Sequence, residues 1–201
     1  MNNPRSQSNP QQQQPRPFNL VRCTAIVLIT LIALVGLAVL IAWLVIRPKH
    51  LLFSIENGSV SNFNQSDTHM NSTFYFTIRA QNPNRRLSIY YDSIKTSVAY
   101  EDQPIAYSTI QPFFQPHRNV TRIQTKLVAS NVPLTPGSAR DIRLEKGTGE
   151  IELYVYVWAR IRFKVGVLKS NERKLKLACS PVMVHFSPTQ HFERTICEAG
   201  I

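Results

Sequence analysis

Residues 151–167 read IELYVYVWARIRFKVGV. Every odd position is apolar, from Ile151, Leu153, Val155 and Val157 through Ala159, Ile161, Phe163, Val165 and Val167. The even positions hold Glu152, Tyr154, Tyr156, Trp158, Arg160, Arg162, Lys164 and Gly166. A period of two over 17 residues is a β-strand with one buried face. The aliphatic side is therefore assigned to the core, and the run exceeds an ordinary straight strand, so strong twist or a bend without change of register is expected. The opposite face carries three aromatics, Tyr154, Tyr156 and Trp158, running into Arg160, Arg162 and Lys164. That ridge is either covered by a flanking loop or C-terminal segment, or it is a docking surface, because Tyr, Trp and Arg are enriched at binding hot spots.

Outward from this strand the same alternation recurs at 74–80 (FYFTIRA), at Leu87, Ile89 and Tyr91, and at Leu175, Leu177 and Cys179. Weaker strand signals lie at 51–61, 94–101 and 122–128. Between them stand Pro104, Pro112, Pro116, Pro133, Pro136-Gly137, Gly147 and Gly149, read as turn punctuation. No segment beyond residue 47 carries a helical period, so the expected fold is an all-β antiparallel sandwich of about seven strands. The segment 47–201 is large enough to build its own core.

The 201-residue chain has 23 Lys+Arg against 12 Asp+Glu, a formal charge of +11, but the charge is unevenly placed. Residues 23–46, CTAIVLITLIALVGLAVLIAWLVI, carry none. As a helix this stretch spans about 36 Å, enough for a hydrocarbon core of ~30 Å. Trp43 suits an interface, and Arg47-Pro48-Lys49 ends the run with charge and a residue that cannot continue a helix. The apolar run is too long for a cleaved signal peptide, and Ala42-Trp43-Leu44 lacks a small-x-small cleavage site. A single transmembrane signal anchor is expected, preceded by a Pro/Gln/Asn-rich disordered tail over 1–22 and followed by one folded domain over 47–201. Cys23 at the membrane edge is a candidate for palmitoylation or a plain apolar residue of the helix.

Three basic residues precede the apolar run and two follow it, nearly a tie under the positive-inside rule. The acid-free N-terminus favours the cytosolic side for the tail. Four sequons, at Asn57, Asn64, Asn71 and Asn119, favour a lumenal or extracellular domain and a glycoprotein. That side is oxidising, so Cys179 and Cys197 most simply pair as a disulfide. Cys179, His185, His191 and Cys197 fall at equal spacings of six, residue types that suit zinc, but without the close ligand pairs that make a zinc motif specific. No metal or cofactor is expected. There is no G-x-S-x-G, H-E-x-x-H, P-loop or G-x-G-x-x-G pattern, and nothing points to an enzyme.

The stretch 74–84, FYFTIRAQNPN, followed by 87–92, LSIYYD, resembles the signature of the group-2 late embryogenesis abundant domain, also called the water-stress and hypersensitive-response domain. The stretches 160–166 (RIRFKVG) and 178–181 (ACSP) resemble its later part. With the N-terminal anchor, residues 20–201 resemble the plant family named for non-race-specific disease resistance and harpin induction. The resemblance implies a fibronectin-type-III-like sandwich, plasma-membrane residence and a role in plant defence or stress response, with no catalytic residues. Its motif residues here are Asn82, Pro83, Asn84, Tyr90, Tyr91 and Asp92. Pro83 biases Asn82 away from αR, and Asn84 is expected to form an Asx turn, so the motif reads as a strand-stopping turn. No apolar tail follows Cys197, so a C-terminal lipid anchor is not expected.

The expected function is a membrane-anchored, non-enzymatic interaction protein. The alternative is a module that binds anionic lipid or acidic cell-wall polysaccharide, suggested by the net +8 of residues 47–201 and the cluster Arg160, Arg162, Lys164, Lys169, Arg173, Lys174 and Lys176. Nucleic acid is disfavoured despite a pI near 10, because the basic domain lies beyond the membrane from it.

Overall fold

The computed structural model describes residues 18–46, 49–187 and 191–199. The expected tail falls outside these residues over 1–17. The chain divides into two units, residues 1–47 and 48–201, each described by itself. Among the described residues of the first, helix α1 runs Phe18–Ile46, beginning five residues before the uncharged block. Its segment Val21–Ile41 is long and apolar enough to cross a membrane. The hydroxyl of Thr30 donates back to the carbonyls of Ile26 (3.0 Å) and Val27 (2.8 Å), so this polar group is satisfied within the helix. Cys23 lies on this helix, exposed.

The second unit is antiparallel β throughout, with one helix. Its elements are β1 (Leu52–Gln65), β2 (His69–Asn82), β3 (Ser88–Tyr100), β4 (Gln103–Ile110), β5 (Phe113–Gln115), β6 (Asn119–Pro133), α2 (Pro136–Thr148), β7 (Glu150–Val165), β8 (Leu168–Lys169), β9 (Arg173–His185) and β10 (Thr195–Ala199). The all-β antiparallel class agrees with the sequence, but the detail differs. Ten strands form one continuous sheet in the order β4-β3-β7-β9-β10-β1-β2-β6, with β5 on β3 and β8 on β7. The sheet curls until its two edge strands, β4 and β6, lie beside each other without pairing. The result is a nearly closed sheet rather than two separate ones.

Strand β7 keeps its alternation of burial from Glu150 through Ile161 because the irregularities fall on its neighbours. On β3, Asp92 is the extra residue between the pairs Tyr91↔Ile161 and Ser93↔Arg160. On β9, Ser180 and Pro181 face Tyr154 between the pairs Leu153↔Val182 and Val155↔Cys179. Such bulges bend a strand and sharpen its twist, which lets the sheet curl while β7 keeps its register. The inward side chains Ile151, Leu153 and Val155 are fully buried, among Phe74, Phe76, Ile78, Ile89 and Leu127 from the other strands. Gly58 sits where a Cβ would come within 2.7 Å of the Phe192 ring, so that ring packs directly on the β1 backbone.

Two expectations are corrected here. The strand ends at Val165, so Val167, placed inward by the alternation, lies instead in the β7–β8 turn and is 93% exposed. Residues 136–148, read as loop punctuation, are a helix. Thr135 caps it, its hydroxyl accepting from the Ser138 amide at 3.1 Å, and Pro136 opens it. Gly149 closes it at φ 93°, donating to the carbonyls of Glu145 and Lys146. Pro and Gly here start and stop a helix rather than mark a loop. Ala139 and Ile142 sink into the core from one side, which is why so polar a segment holds a helix.

Candidate functional site

The even side chains of β7 point away from the core, and the curled sheet leaves them on its outer surface. No loop among the described residues hides Trp158, which is 39% exposed, while Tyr154 and Tyr156 are half-buried. Tyr156 and Trp158 stack at 5.9 Å with 25° between their planes. Tyr154 donates its hydroxyl to Glu152 at 3.3 Å, and that carboxylate's charge pushes the phenol's pKa up.

Register then adds residues from the flanking strands. Trp158 pairs with Lys95 on β3 and Lys176 on β9, and Arg160 with Ser93 and Lys174. These side chains line a shallow groove of about 410 Å³ around the indole and the Arg160 guanidinium. Lys95, Lys174 and Lys176 are exposed, and the nearest acid, Glu172, sits 3.8 Å from Arg160. An indole flanked by free ammonium groups can cover an apolar or aromatic group while meeting an anionic one.

The other basic residues of the ridge are engaged. Arg162 grips Asp92 with two hydrogen bonds, 2.7 Å from Nε and 2.6 Å from Nη2. The bond to Arg162 holds the Asp92 carboxyl below its ordinary value, and the same pair raises Arg162. Lys164 lies over the Phe114 ring at 6.0 Å. The most open part of the ridge is thus Trp158, stacked on Tyr156 on one side and followed by Arg160 in a long ion pair with Glu172 (3.8 Å), flanked by residues that serve the fold. Lys95 and Ser93 escape a reading of the sequence, because only the β3–β7 register brings them beside Trp158.

Asn82, Pro83 and Asn84 build the end of the domain at which residue 49 enters it, the proximal end. Strand β2 ends at Asn82, which is 1% exposed. Its amide donates to the carbonyls of Leu87 (2.8 Å) and Pro116 (3.0 Å). Its Oδ1 accepts from the backbone N–H (3.1 Å) and the Nδ2 (3.0 Å) of Asn84. The Asx turn is therefore made by Asn82, not by Asn84 as expected; Pro83 between them leaves the Asn84 amide as the next donor in reach. Asn84 instead clasps the incoming chain, exchanging hydrogen bonds with the Lys49 N–H (2.7 Å) and carbonyl (3.0 Å).

Tyr91 points inward, stacks on Phe113 at 4.5 Å and donates to Gln115 at 3.1 Å; burial pushes its phenol pKa up. Tyr90 faces outward against Phe114 (4.7 Å), with Lys169 over its ring at 4.8 Å.

Cys179 and Cys197 are joined as a disulfide between β9 and β10, so neither is available to a metal. Among the described residues no group of three His, Cys, Asp or Glu is arranged to hold a metal ion. Of the sequon residues, Asn57, Asn64 and Asn71 are exposed, whereas Asn119 is half-buried with its Oδ1 accepting from Thr121 at 3.1 Å.

Comparison with known proteins places the chain. Residues 77–179 match the family model for late embryogenesis abundant protein, a span that runs from within β2 to the first cysteine of the disulfide. An uncharacterized protein of Arabidopsis thaliana is 40% identical over 190 residues, covering 92% of this chain and 86% of the relative. NDR1/HIN1-like protein 3 of the same plant is 34% identical, covering 86% of this chain and 77% of its own length. NDR1/HIN1-like protein 10 is 30% identical, covering 80% and 72%. A crystal structure of a protein from Archaeoglobus fulgidus aligns at a TM-score of 0.31 and 12% identity over 61% of this chain and 94% of that one, too distant to bear on the assignment. The family model, which spans half of the chain, and relatives aligned over most of their length agree: the chain belongs to the group-2 late embryogenesis abundant family, among the NDR1/HIN1-like proteins.

Proposed function

We propose that this protein is a single-pass, plasma-membrane-anchored interaction protein of plant defence or stress response, non-enzymatic, with a cytosolic N-terminus and an extracellular β domain. The defence or stress role rests on kinship with the NDR1/HIN1-like proteins. The anchor rests on α1, and the orientation on the sequons, three of which present exposed asparagines. The observation that carries the interaction role is the outward Trp158, 39% exposed and set between Lys95 and Lys176. A protein segment with an apolar side chain and a carboxylate fits that groove.

Trp158→Ala in the full chain tests it. Because the indole is not enclosed, its loss should change the stability of the domain by about 1 kcal/mol or less, while proteins cross-linked to the wild type in plant membranes are lost. A variant that melts normally and captures the same proteins overturns the groove as the site.

A second reading, binding of acidic wall polysaccharide, is favoured by the surplus of Lys95, Arg160, Lys174 and Lys176 over the one carboxylate of Glu172. It predicts capture on polygalacturonate that falls steeply with salt; salt-independent capture of a protein excludes it.

A further inference from the structure

The β7–β8 hairpin turns through Gly166, at φ 58°, and Val167, and its tip has no explanation in the fold. Tight turns ordinarily hold Gly, Asn, Asp or Ser. Here Val167 is 93% exposed and Leu168 next to it 74% exposed, two adjacent aliphatic side chains projecting into solvent. Behind the tip, Lys164 and Lys169 stand directly opposite each other across the hairpin. Like charges directly opposite are unfavourable in a sheet pair; here Lys164 lies over the Phe114 ring at 6.0 Å and Lys169 over the Tyr90 ring at 4.8 Å, and among the described residues neither meets a carboxylate. Arg85 and Arg86 face Lys164 across a cleft of about 460 Å³ at the same end.

This is the end where Asn84 holds Lys49. Only residues 47–51 separate the last residue of α1 from β1, and five extended residues reach about 18 Å at most, whatever course they take. We propose that the proximal end of the β domain docks on the phospholipid bilayer that α1 crosses. Val167 and Leu168 enter the boundary between headgroups and acyl chains. Lys164, Lys169, Arg85 and Arg86 meet phosphate headgroups. The inference rests on the reading of α1 as a membrane span. An aliphatic tip ringed by cations is the chemistry of interfacial binding. The short connection keeps the surface available to the tip at all times, so even a weak interfacial affinity is effective.

The test uses the full chain with Cys23→Ser and an intact disulfide, reconstituted in vesicles containing 30% anionic phosphatidylglycerol. A nitrobenzoxadiazole label is placed through Leu168→Cys or, at the other end of the domain, through Leu144→Cys. Quenching by a doxyl lipid should be several-fold greater at 168 than at 144, and the added Lys164→Glu and Lys169→Glu changes should abolish the difference. Carbonate washing distinguishes the two levels. Protein that washes off overturns the membrane span and the docking with it. Protein that resists washing, yet shows equal quenching at the two positions, overturns the docking alone.

Discussion

At the distal end of the β domain α2 lies across the opening of the curled sheet, sinking Ala139 and Ile142 into it. At the proximal end Asn82 and Asn84 tie the β2–β3 turn, the β5–β6 loop and the incoming chain together through hydrogen bonds. The charge follows the same division. Asp67, Glu101, Asp102, Asp141, Glu145, Glu150 and Glu152, seven of the chain's 12 acids, belong to α2 or to the turns and strand ends around it, where they outnumber Arg140, Arg143 and Lys146 of α2. Lys49, Arg85, Arg86, Arg118, Lys164 and Lys169 belong to the proximal end, where Asp92 is already committed to Arg162. One end is thus closed by burial and the other by directed polar bonds. The closure by burial hides the apolar side of α2; the closure by polar bonds leaves aliphatic groups at the hairpin tip in water.

The sharpest way to break this contrast is to remove the amide at the proximal end. Asn82→Ala deletes two donors and an acceptor in a buried site and should cost about 3 kcal/mol, since each buried partner left unpaired costs on the order of 1–3 kcal/mol. Denaturant unfolding measures it; a loss under about 1 kcal/mol would mean that the turn does not depend on these bonds. The matching change at the distal end is smaller. Thr135→Ala removes the α2 cap and should cost about 1 kcal/mol, read in the same experiment.

The smallest effect is one of pH. Burial is the main cause that raises the Glu145 pKa above 4.5, whereas Arg162 lowers that of Asp92 below 3.8. A raised carboxyl favours the folded state most when protonated, fully so below 4.5, and that contribution is lost as pH rises through the raised value. A lowered carboxyl does the reverse: its contribution is present above 3.8 and is lost as pH falls through the lowered value. Glu145→Gln keeps an acceptor for the Tyr100 hydroxyl, 3.2 Å away in the wild type. It should flatten the melting profile just above pH 4.5 and leave the acid limb unchanged, while Asp92→Asn should alter only the acid limb. Identical profiles for wild type and both variants would remove the electrostatic difference between the ends.

Much of this was legible in the sequence, for local reasons. The β7 pattern reads cleanly because both bulges beside it fall on β3 and β9. The helix α2 hides because its capping residues, Thr135-Pro136 and Gly149, are also turn formers, and only Ser138, Ala139 and Ile142 bury. The closure of the sheet depends on β1 pairing with β10 across more than 130 residues of chain, which no periodicity encodes. For the candidate groove, Trp158 and Arg160 are readable from β7 itself, but Lys95 needs the register. Val167 fits the alternation and yet leaves the strand, because Gly166 at positive φ turns the chain one residue earlier.

The placement of β1 bears on mechanics. It is the first strand after α1, and it lies inside the sheet, paired to β2 on one side and β10 on the other. A pull applied to the chain ahead of β1 would reach the domain through the Asn84–Lys49 clasp and then along β1. Hydrogen bonds of an antiparallel ladder lie across the strand, so such a pull shears them together instead of peeling them one by one. A strand held in this way yields to such a pull only when its two ladders fail together.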